Sequence, residues 1–244
     1  MTAAILLPGI MIPAHVAYAP LMAELAHSSP VVTKELEVYA RDQPPQDYGL
    51  DLEIDGLDRF ATEQGFDRFH LYGQSFGGAV ALAYTARHPD RVASLALNEP
   101  ATDFSDADRA AIAAQQLSDG PEDQRMRRFV QQFVRPGVEL PPPPPPSDDP
   151  EMAKRPAGVA ATIPVVDAYR VDDDALRRYP GPSYVGYGAL SNERWEAMAE
   201  RLSHVLADCA VVRYEDRHHA DAPHQAEPQR VAAILTSLWK RADG

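Results

Sequence analysis

The sequence predicts an α/β fold in which one parallel sheet is flanked by helices. Three observations indicate this fold. Strand-like and helix-like segments alternate along most of the chain, one long segment interrupts the alternation, and 45% of the 244 residues are hydrophobic. Alternation of this kind is typical of βαβ units and a parallel sheet. A chain of this length and composition can bury a sizeable core.

Short apolar runs bounded by turn residues predict about six strands, and periodic segments between them predict helices. The strands lie near Ala3–Leu7, Lys34–Val38, Arg68–Tyr72, Val92–Leu97, Ser183–Tyr187 and Ala210–Tyr214. The helices lie near Tyr18–Ala26, Leu50–Gln64, Gly78–His88, Asn192–Ala207 and Glu227–Arg241. The chain shows no internal repeat.

Residues 101–178 form the segment that interrupts the alternation. It holds two polar helical stretches, Asp106–Leu117 and Pro121–Val134, and then six consecutive prolines, Pro141–Pro146. A proline run adopts a stiff polyproline II conformation, and we favour a rigid loop over a ligand for a proline-recognition module. The sequence therefore predicts a core formed by residues 1–100 and 179–244, with an insertion at 101–178.

Composition excludes several classes of function. The net charge of −13 disfavours a nucleic acid partner, which requires a positive surface. The one cysteine, Cys209, excludes an internal disulfide framework and a four-cysteine metal site, and we expect a small buried side chain there. The N-terminus has no signal-like segment, and no apolar run reaches the ~20 residues of a membrane span. We expect a soluble cytoplasmic protein whose partner is a small molecule, with no membrane partner, and composition leaves its oligomeric state open.

The most informative motif is Gly73-Gln74-Ser75-Phe76-Gly77. It follows a predicted strand directly and precedes an Ala-rich predicted helix. Small residues two positions before and after Ser75 allow the sharp turn that exposes the serine Oγ at the carboxyl end of a sheet. The helix start behind it directs backbone N–H groups at developing negative charge. In this context the motif predicts a nucleophilic serine.

With this motif the chain resembles the α/β-hydrolase superfamily. The resemblance covers nearly the whole chain in layout: a loop after the first strand (Leu7–Pro13), the nucleophile elbow, an insertion the size of a cap domain and a late histidine. Fuller members carry two further strands before the first one here, so this would be a short version with about six strands. The resemblance implies a helical cap over the active site and a triad in the order nucleophile, acid, histidine. It implies no metal or organic cofactor.

The resemblance places the catalytic base in the loop after the last strand, where two histidines are adjacent. Aligned with the usual strand, turn and Gly-x-Gly-His ending of the family, His219 takes the catalytic position and His218 the one before it. His219 is favoured, and His218 stays open. A metal cluster that also includes Asp221 and His224 is disfavoured, because adjacent loop histidines rarely share one ion.

The triad acid departs from the common pattern of the family. Most relatives place an aspartate after the strand near Ser183–Tyr187, but here Asn192 stands in that region and no carboxylate occurs before Glu193. An asparagine cannot stabilise an imidazolium. Glu99, just past the end of the strand that follows the elbow helix, is the favoured acid, because a minority of the superfamily carries it there. Glu193 and Asp103 remain alternatives.

The resemblance assigns the oxyanion hole to two backbone N–H groups, those of Ile10 and Phe76. Pro8 stands where the family usually has a histidine, which removes a side chain that normally braces this loop. The donors are main-chain groups, so the substitution does not remove them.

Together these residues predict a serine hydrolase that cleaves a carboxylic ester or lactone of a small molecule through an acyl-enzyme. Ser75 is the predicted nucleophile, His219 the base and Glu99 the acid. Two alternatives remain: acyl transfer or C–C bond hydrolysis on the same triad, and a binding protein that has lost catalysis. Asn192 and Pro8 motivate the last of these. The sequence contains no motif that identifies the substrate.

Overall fold

The computed structural model describes residues 2–27, 30–116, 122–140 and 147–244. The strands are β1 Ala3–Leu7, β2 Val31–Thr33, β3 Phe69–Gln74, β4 Val92–Asn98, β5 Ser183–Gly188 and β6 Cys209–Tyr214. The helices are α1 Ala14–Ala17, α2 Ala19–Leu25, α3 Leu50–Glu63, α4 Phe76–Arg87, α5 Asp106–Gln116, α6 Glu122–Gln131, α7 Pro150–Ala153, α8 Arg155–Ala168, α9 Asp173–Leu176, α10 Arg194–Val205, α11 Pro223–Ala226 and α12 Pro228–Asp243.

The six strands form one parallel sheet in the order β2-β1-β3-β4-β5-β6. Alternate residues of β1 face opposite sides of it. Ile5 and Leu7 join a core cluster with side chains of α3, α4 and α10, whereas Ala4 and Leu6 join a second cluster with α2 and α12. The sheet is therefore covered on both faces, which explains why the central strands β3 and β4 are buried along their whole length and are mostly apolar. The predicted α/β architecture, a parallel sheet of about six strands flanked by helices, is confirmed.

Five of the six predicted strands lie within two residues of the observed ones, but the second was placed wrongly. It was expected at Lys34–Val38, and the structure has it at Val31–Thr33. After Thr33 the backbone N–H groups of Glu37 and Val38 donate to the carboxylate of Glu53 at 2.9 and 3.1 Å. This segment forms a 3-10 turn, Glu37–Tyr39, because a side chain from α3 satisfies its donors in place of a neighbouring strand.

Helices α5–α9 lie between β4 and β5, within residues 101–178, and we call this segment the insertion. It contacts the core at an antiparallel bridge between Val134 and Ser191, and at an ion pair between Arg155 of α8 and Glu35. The predicted proline run Pro141–Pro146 lies outside the described residues. Within the described part of the chain, no helix is long and apolar enough to cross a membrane.

Candidate active site

Ser75 occupies a strained turn between β3 and α4. Its φ of 53° is in the left-handed region, which a non-glycine residue rarely adopts. The turn holds because its neighbours fit closely: the N–H of Gly77 donates to Pro8 O at 3.1 Å, and any Cβ at residue 77 would overlap that carbonyl. The N–H of Ser75 itself donates to Asn98 O on the neighbouring strand. The small residues around Ser75 thus allow the backbone geometry that the motif predicts.

A continuous hydrogen-bonded chain runs from Ser75 to Glu99. The serine Oγ lies 3.1 Å from His219 Nε2, and His219 Nδ1 lies 2.7 Å from Glu99 Oε2. A carboxylate only accepts hydrogen bonds, so Nδ1 carries the proton and Nε2 is free to accept one from the serine. The structure brings together the three residues favoured as nucleophile, base and acid. Their roles in catalysis stay predictions.

Hydrogen bonds to β5 fix both the backbone and the carboxylate of Glu99. It has a φ of 45°, and only 2% of its surface is exposed. Its N–H donates to Gly186 O, and its Oε1 accepts the N–H of Gly188 at 2.7 Å. One carboxylate oxygen is thus engaged by the end of β5 and the other by His219. An ionised carboxylate this deeply buried requires such partners.

The alternative acids lie elsewhere and have other surroundings. Glu193 is exposed at the start of α10, and among the described residues its carboxylate has no hydrogen-bond partner. Asp103 forms an ion pair with Arg201 at 2.7 Å. His218, the alternative base, is buried, and burial lowers its pKa. The described residues offer no hydrogen-bond partner to its Nδ1.

Two aromatic side chains that the sequence reasoning missed pack against the His219 ring. Trp195 of α10 is stacked parallel to it, with ring centroids 4.6 Å apart and planes 4° apart. Phe133 of the insertion packs at 5.1 Å and 38°. The two rings fix the orientation of the imidazole ring between them. Nothing in the linear sequence marks either residue, because both reach His219 from distant elements.

The two predicted oxyanion donors lie beside Ser75. Phe76 is the first residue of α4, and the Pro8–Gly77 hydrogen bond holds the Ile10 loop next to the elbow. A Cβ at Gly9 would lie 3.2 Å from the Cβ of Ser75. Among the described residues, neither the N–H of Ile10 nor that of Phe76 donates to a protein acceptor. Their role as an oxyanion hole stays a prediction.

Ser75 and His219 open into a cavity of about 570 Å³ between the sheet edge and the insertion. Most of its lining is apolar, from both parts: Ile10, Met11, Phe76, Phe104, Ile112, Phe129, Val130, Phe133, Met152, Ile163 and Val166. His224 also lines it, and burial lowers the pKa of this histidine to about 3, so it is neutral. In the part of the chain that the structure describes, no three His, Cys, Asp or Glu side chains are placed to hold a metal ion.

Comparison with known proteins agrees with this architecture. The family model of the alpha/beta hydrolase fold matches residues 41–171. The chain belongs to the α/β-hydrolase fold family.

Individual proteins share limited sequence identity with this chain. The chain is 37% identical over 83 residues to a 2-hydroxymuconate semialdehyde hydrolase of Pseudomonas sp. (strain CF600), and the match covers 32% of this chain and 28% of that protein. It is similar in structure to a thermophilic esterase from Thermogutta terrifontis, with a TM-score of 0.72, 21% identity and coverage of 99% and 90% of the two chains. It is also similar to the 2-hydroxy-6-oxo-6-phenylhexa-2,4-dienoate hydrolase of Rhodococcus sp. strain RHA1, with a TM-score of 0.69, 17% identity and coverage of 98% and 90%. At these identities the structural likenesses show the fold alone.

Proposed function

We propose that the protein is a serine hydrolase that cleaves carboxylic esters or lactones of small, largely apolar molecules. The observation that carries the proposal is the chain Ser75 Oγ–His219 Nε2 and His219 Nδ1–Glu99 Oε2, at 3.1 and 2.7 Å, at the floor of an apolar cavity. Nucleophile, base and orienting acid within hydrogen-bond reach of one another are the signature of nucleophilic catalysis.

Acylation follows from these positions. His219 Nε2 accepts the proton of Ser75 as its Oγ attacks the carbonyl carbon of the substrate, and the carbonyl oxygen becomes an oxyanion. The N–H groups of Ile10 and Phe76 stabilise that charge. When the tetrahedral intermediate collapses, the imidazolium returns its proton to the leaving alkoxide and the alcohol departs. Glu99 keeps Nδ1 protonated throughout.

Deacylation uses the same residues in the same order. Water takes the place of the alcohol, His219 accepts one of its protons, and the resulting hydroxide attacks the acyl carbon. Collapse of the second intermediate releases the carboxylic acid, and the imidazolium reprotonates Ser75 Oγ. No metal or organic cofactor takes part in this sequence. The insertion serves as the cap that shapes the acyl side of the cavity.

The cavity does not favour a substrate carboxylate, because the two arginines that line it have protein partners. Arg155 is paired with Glu35 at 2.8 Å, and Arg127 donates to Leu140 O at 3.0 Å. A substrate carboxylate would have to compete with these bonds for a guanidinium.

A fluorophosphonate probe, followed by a panel of p-nitrophenyl esters with increasing acyl length and a set of lactones, tests the proposal. We expect covalent labelling and turnover in the wild type, and neither in Ser75→Ala. Wild-type protein that does not label would overturn the proposal and favour the binding protein without catalysis. Competing alcohols in the ester assay would reveal acyl transfer as transesterified products.

Hydrolysis of a C–C bond on the same triad is the second candidate, favoured by the 37% identical segment shared with a 2-hydroxymuconate semialdehyde hydrolase. Turnover of a 2-hydroxy-6-oxo-dienoate by the same protein preparation distinguishes the two. We expect kcat/KM to be higher for a short-chain ester. The reverse order would replace the proposal with the C–C reaction.

A further inference from the structure

The loop that carries the Ile10 N–H lacks the usual bracing histidine, since Pro8 stands in its place, yet a side chain from elsewhere holds it. Tyr39, on the 3-10 turn after β2, donates its hydroxyl hydrogen to Ile10 O at 2.7 Å. Its side chain is 1% exposed. A buried hydrogen bond of this length fixes the peptide group that it reaches, and water cannot substitute for it.

Three residues of the insertion contact Tyr39, at its ring face, its backbone carbonyl and its ring edge. The guanidinium of Arg155 lies over its ring at 3.7 Å, and Lys154 Nζ donates to its backbone carbonyl at 3.3 Å. Gly158, one turn further along α8, meets the ring edge so closely that a Cβ there would overlap it. All three contacts come from residues 154–158 of the insertion.

Arg155 is itself fixed to the core. It is 4% exposed and forms two hydrogen bonds to Glu35, at 2.8 and 3.4 Å. The same carboxylate accepts the N–H of Ala14, at the far end of the Ile10 loop, at 3.0 Å. The loop is therefore attached to the Arg155 cluster at two points, through Tyr39 at Ile10 and through Glu35 at Ala14. Burial raises the pKa of Tyr39, which keeps its hydroxyl protonated as a donor at ordinary pH.

We infer that Tyr39 is a positioning residue that aligns the oxyanion donor of Ile10 and makes this alignment depend on docking of helix α8. The inference rests on the proposed function, because the oxyanion arises only if Ser75 attacks a carbonyl. The hydroxyl holds the peptide group between Ile10 and Met11. That group is joined at the Ile10 Cα to the peptide group that carries the donor N–H, so fixing the first restricts rotation of the second. When α8 is packed against the core, Arg155 and Gly158 restrict the position of the Tyr39 ring. The hydroxyl therefore keeps its hydrogen bond to Ile10 O.

Tyr39→Phe tests the hydrogen bond from the Tyr39 hydroxyl to Ile10 O, and Tyr84→Phe is the matched control. Both hydroxyls belong to fully buried rings and form a 2.7 Å hydrogen bond, but that of Tyr84 goes to Asp58, on helix α3. Complete loss of one oxyanion donor costs about 10²–10³ in kcat, so misalignment of one donor should cost about tenfold. We expect kcat for the ester to fall about tenfold in Tyr39→Phe while KM changes less than twofold, and kcat to stay at the wild-type value in Tyr84→Phe.

Two further measurements complete the test. Gly158→Ala, which pushes on the Tyr39 ring from α8 without touching Ser75, should lower kcat in the same way. Hydrogen exchange of the fragment covering residues 9–13 should be faster in Tyr39→Phe and Gly158→Ala than in wild type or Tyr84→Phe. This second readout requires no activity.

The outcomes separate the two proposals. If wild-type turnover does not depend on Ser75, the proposed function fails, and the exchange rates alone decide whether Tyr39 braces the loop. Wild-type exchange of residues 9–13 in Tyr39→Phe would overturn the inference. Ser75-dependent turnover with wild-type kcat in Tyr39→Phe would overturn it as well.

Discussion

The carboxyl ends of β4 and β5 lie side by side in the sheet, but they contribute different things to the site. β4 ends at Asn98, and the next residue, Glu99, supplies a buried carboxylate to His219. β5 ends at Gly188 and supplies backbone groups: the N–H of Gly188 donates to that carboxylate, and Gly186 O accepts the N–H of Glu99. Beyond β5 the chain continues to Trp195, whose ring stacks on the histidine. One strand end provides charge, and its neighbour provides a hydrogen bond and an aromatic face.

Close packing explains why the β5 end carries no acid in its first position. A Cβ on Gly188 would overlap the carbonyl oxygen of Arg217, in the loop that leads to His219. The next residues are used to hold the insertion: the N–H of Asn192 donates to Phe133 O at 3.0 Å, and Arg135 N–H donates to Leu190 O at 2.9 Å. Both strand ends face the loop that carries His219, so a carboxylate directly after β4 lies within hydrogen-bond distance of the histidine.

The largest expected effect concerns Ser75 and His219, which the proposed mechanism requires whether the acid follows β4 or β5. Ser75→Ala and His219→Ala should each lower kcat by about 10⁶, and the double variant little further, because the members of a triad act as a unit. Ester hydrolysis by the purified variants measures this, with circular dichroism to verify folding. His218→Ala is the matched control and should retain turnover. Loss of activity in His218→Ala with retention in His219→Ala would reverse the assignment of the base.

Glu99→Gln tests the charge at the β4 end. The amide keeps the shape but cannot stabilise the imidazolium and can hold the wrong tautomer, so kcat should fall about 10³- to 10⁴-fold. Glu193→Gln, which changes an exposed carboxylate beyond β5, should leave kcat within twofold of wild type. Steady-state kinetics on one ester compares the two. Near-normal turnover in Glu99→Gln would mean that the charge at the β4 end is not the triad acid.

Gly188→Ala tests the packing at the β5 end. The added methyl group must displace the Arg217 carbonyl, and overpacking of this kind costs about 1–3 kcal/mol of unfolding free energy. For a chain of this size, in which 1 kcal/mol shifts Tm by about 2–4 °C, we expect Tm to fall by about 2–12 °C. Gly49→Ala is the control, because nothing lies within 4 Å of a Cβ there and its backbone is extended. Equal melting temperatures for Gly188→Ala and wild type would show that this strand end does have room for a side chain.

Local chemistry explains which features the sequence predicts. The elbow around Ser75 and the mostly apolar strands β1, β3 and β4 depend on residues close together in the chain, so the linear sequence predicts them. Glu99 was favoured because a carboxylate directly after an apolar strand needs a buried partner, and the family supplies a precedent for its place. The second strand was placed wrongly because the apolar residues after Thr33 resemble a strand, while the carboxylate that satisfies their N–H groups comes from α3.

The contacts of the insertion could not be predicted from the sequence. Phe133, Tyr39 and Arg155 reach the site from segments that share no pattern with it, and each is meaningful only through a long-range neighbour. Tyr39 lies in a turn that no motif marks, and its hydroxyl meets a loop 29 residues earlier in the chain. Such contacts depend on how the insertion docks, which periodicity and composition do not encode.

Trp195→Leu gives the smallest expected effect and tests the aromatic contribution of the β5 side. Leucine keeps the site apolar but removes the ring face, and a stacked cation–π contact is worth about 1 kcal/mol, or roughly fivefold in kcat. Trp195→Phe retains an aromatic face and should stay closer to wild type. Steady-state kinetics of the three proteins measures the difference, and melting curves separate it from lost packing. If both variants lose the same activity, bulk at Trp195 matters and its ring does not. A graded loss, with leucine lower than phenylalanine, would show that helix α10, which follows β5, contributes electrostatically through the aromatic ring of Trp195.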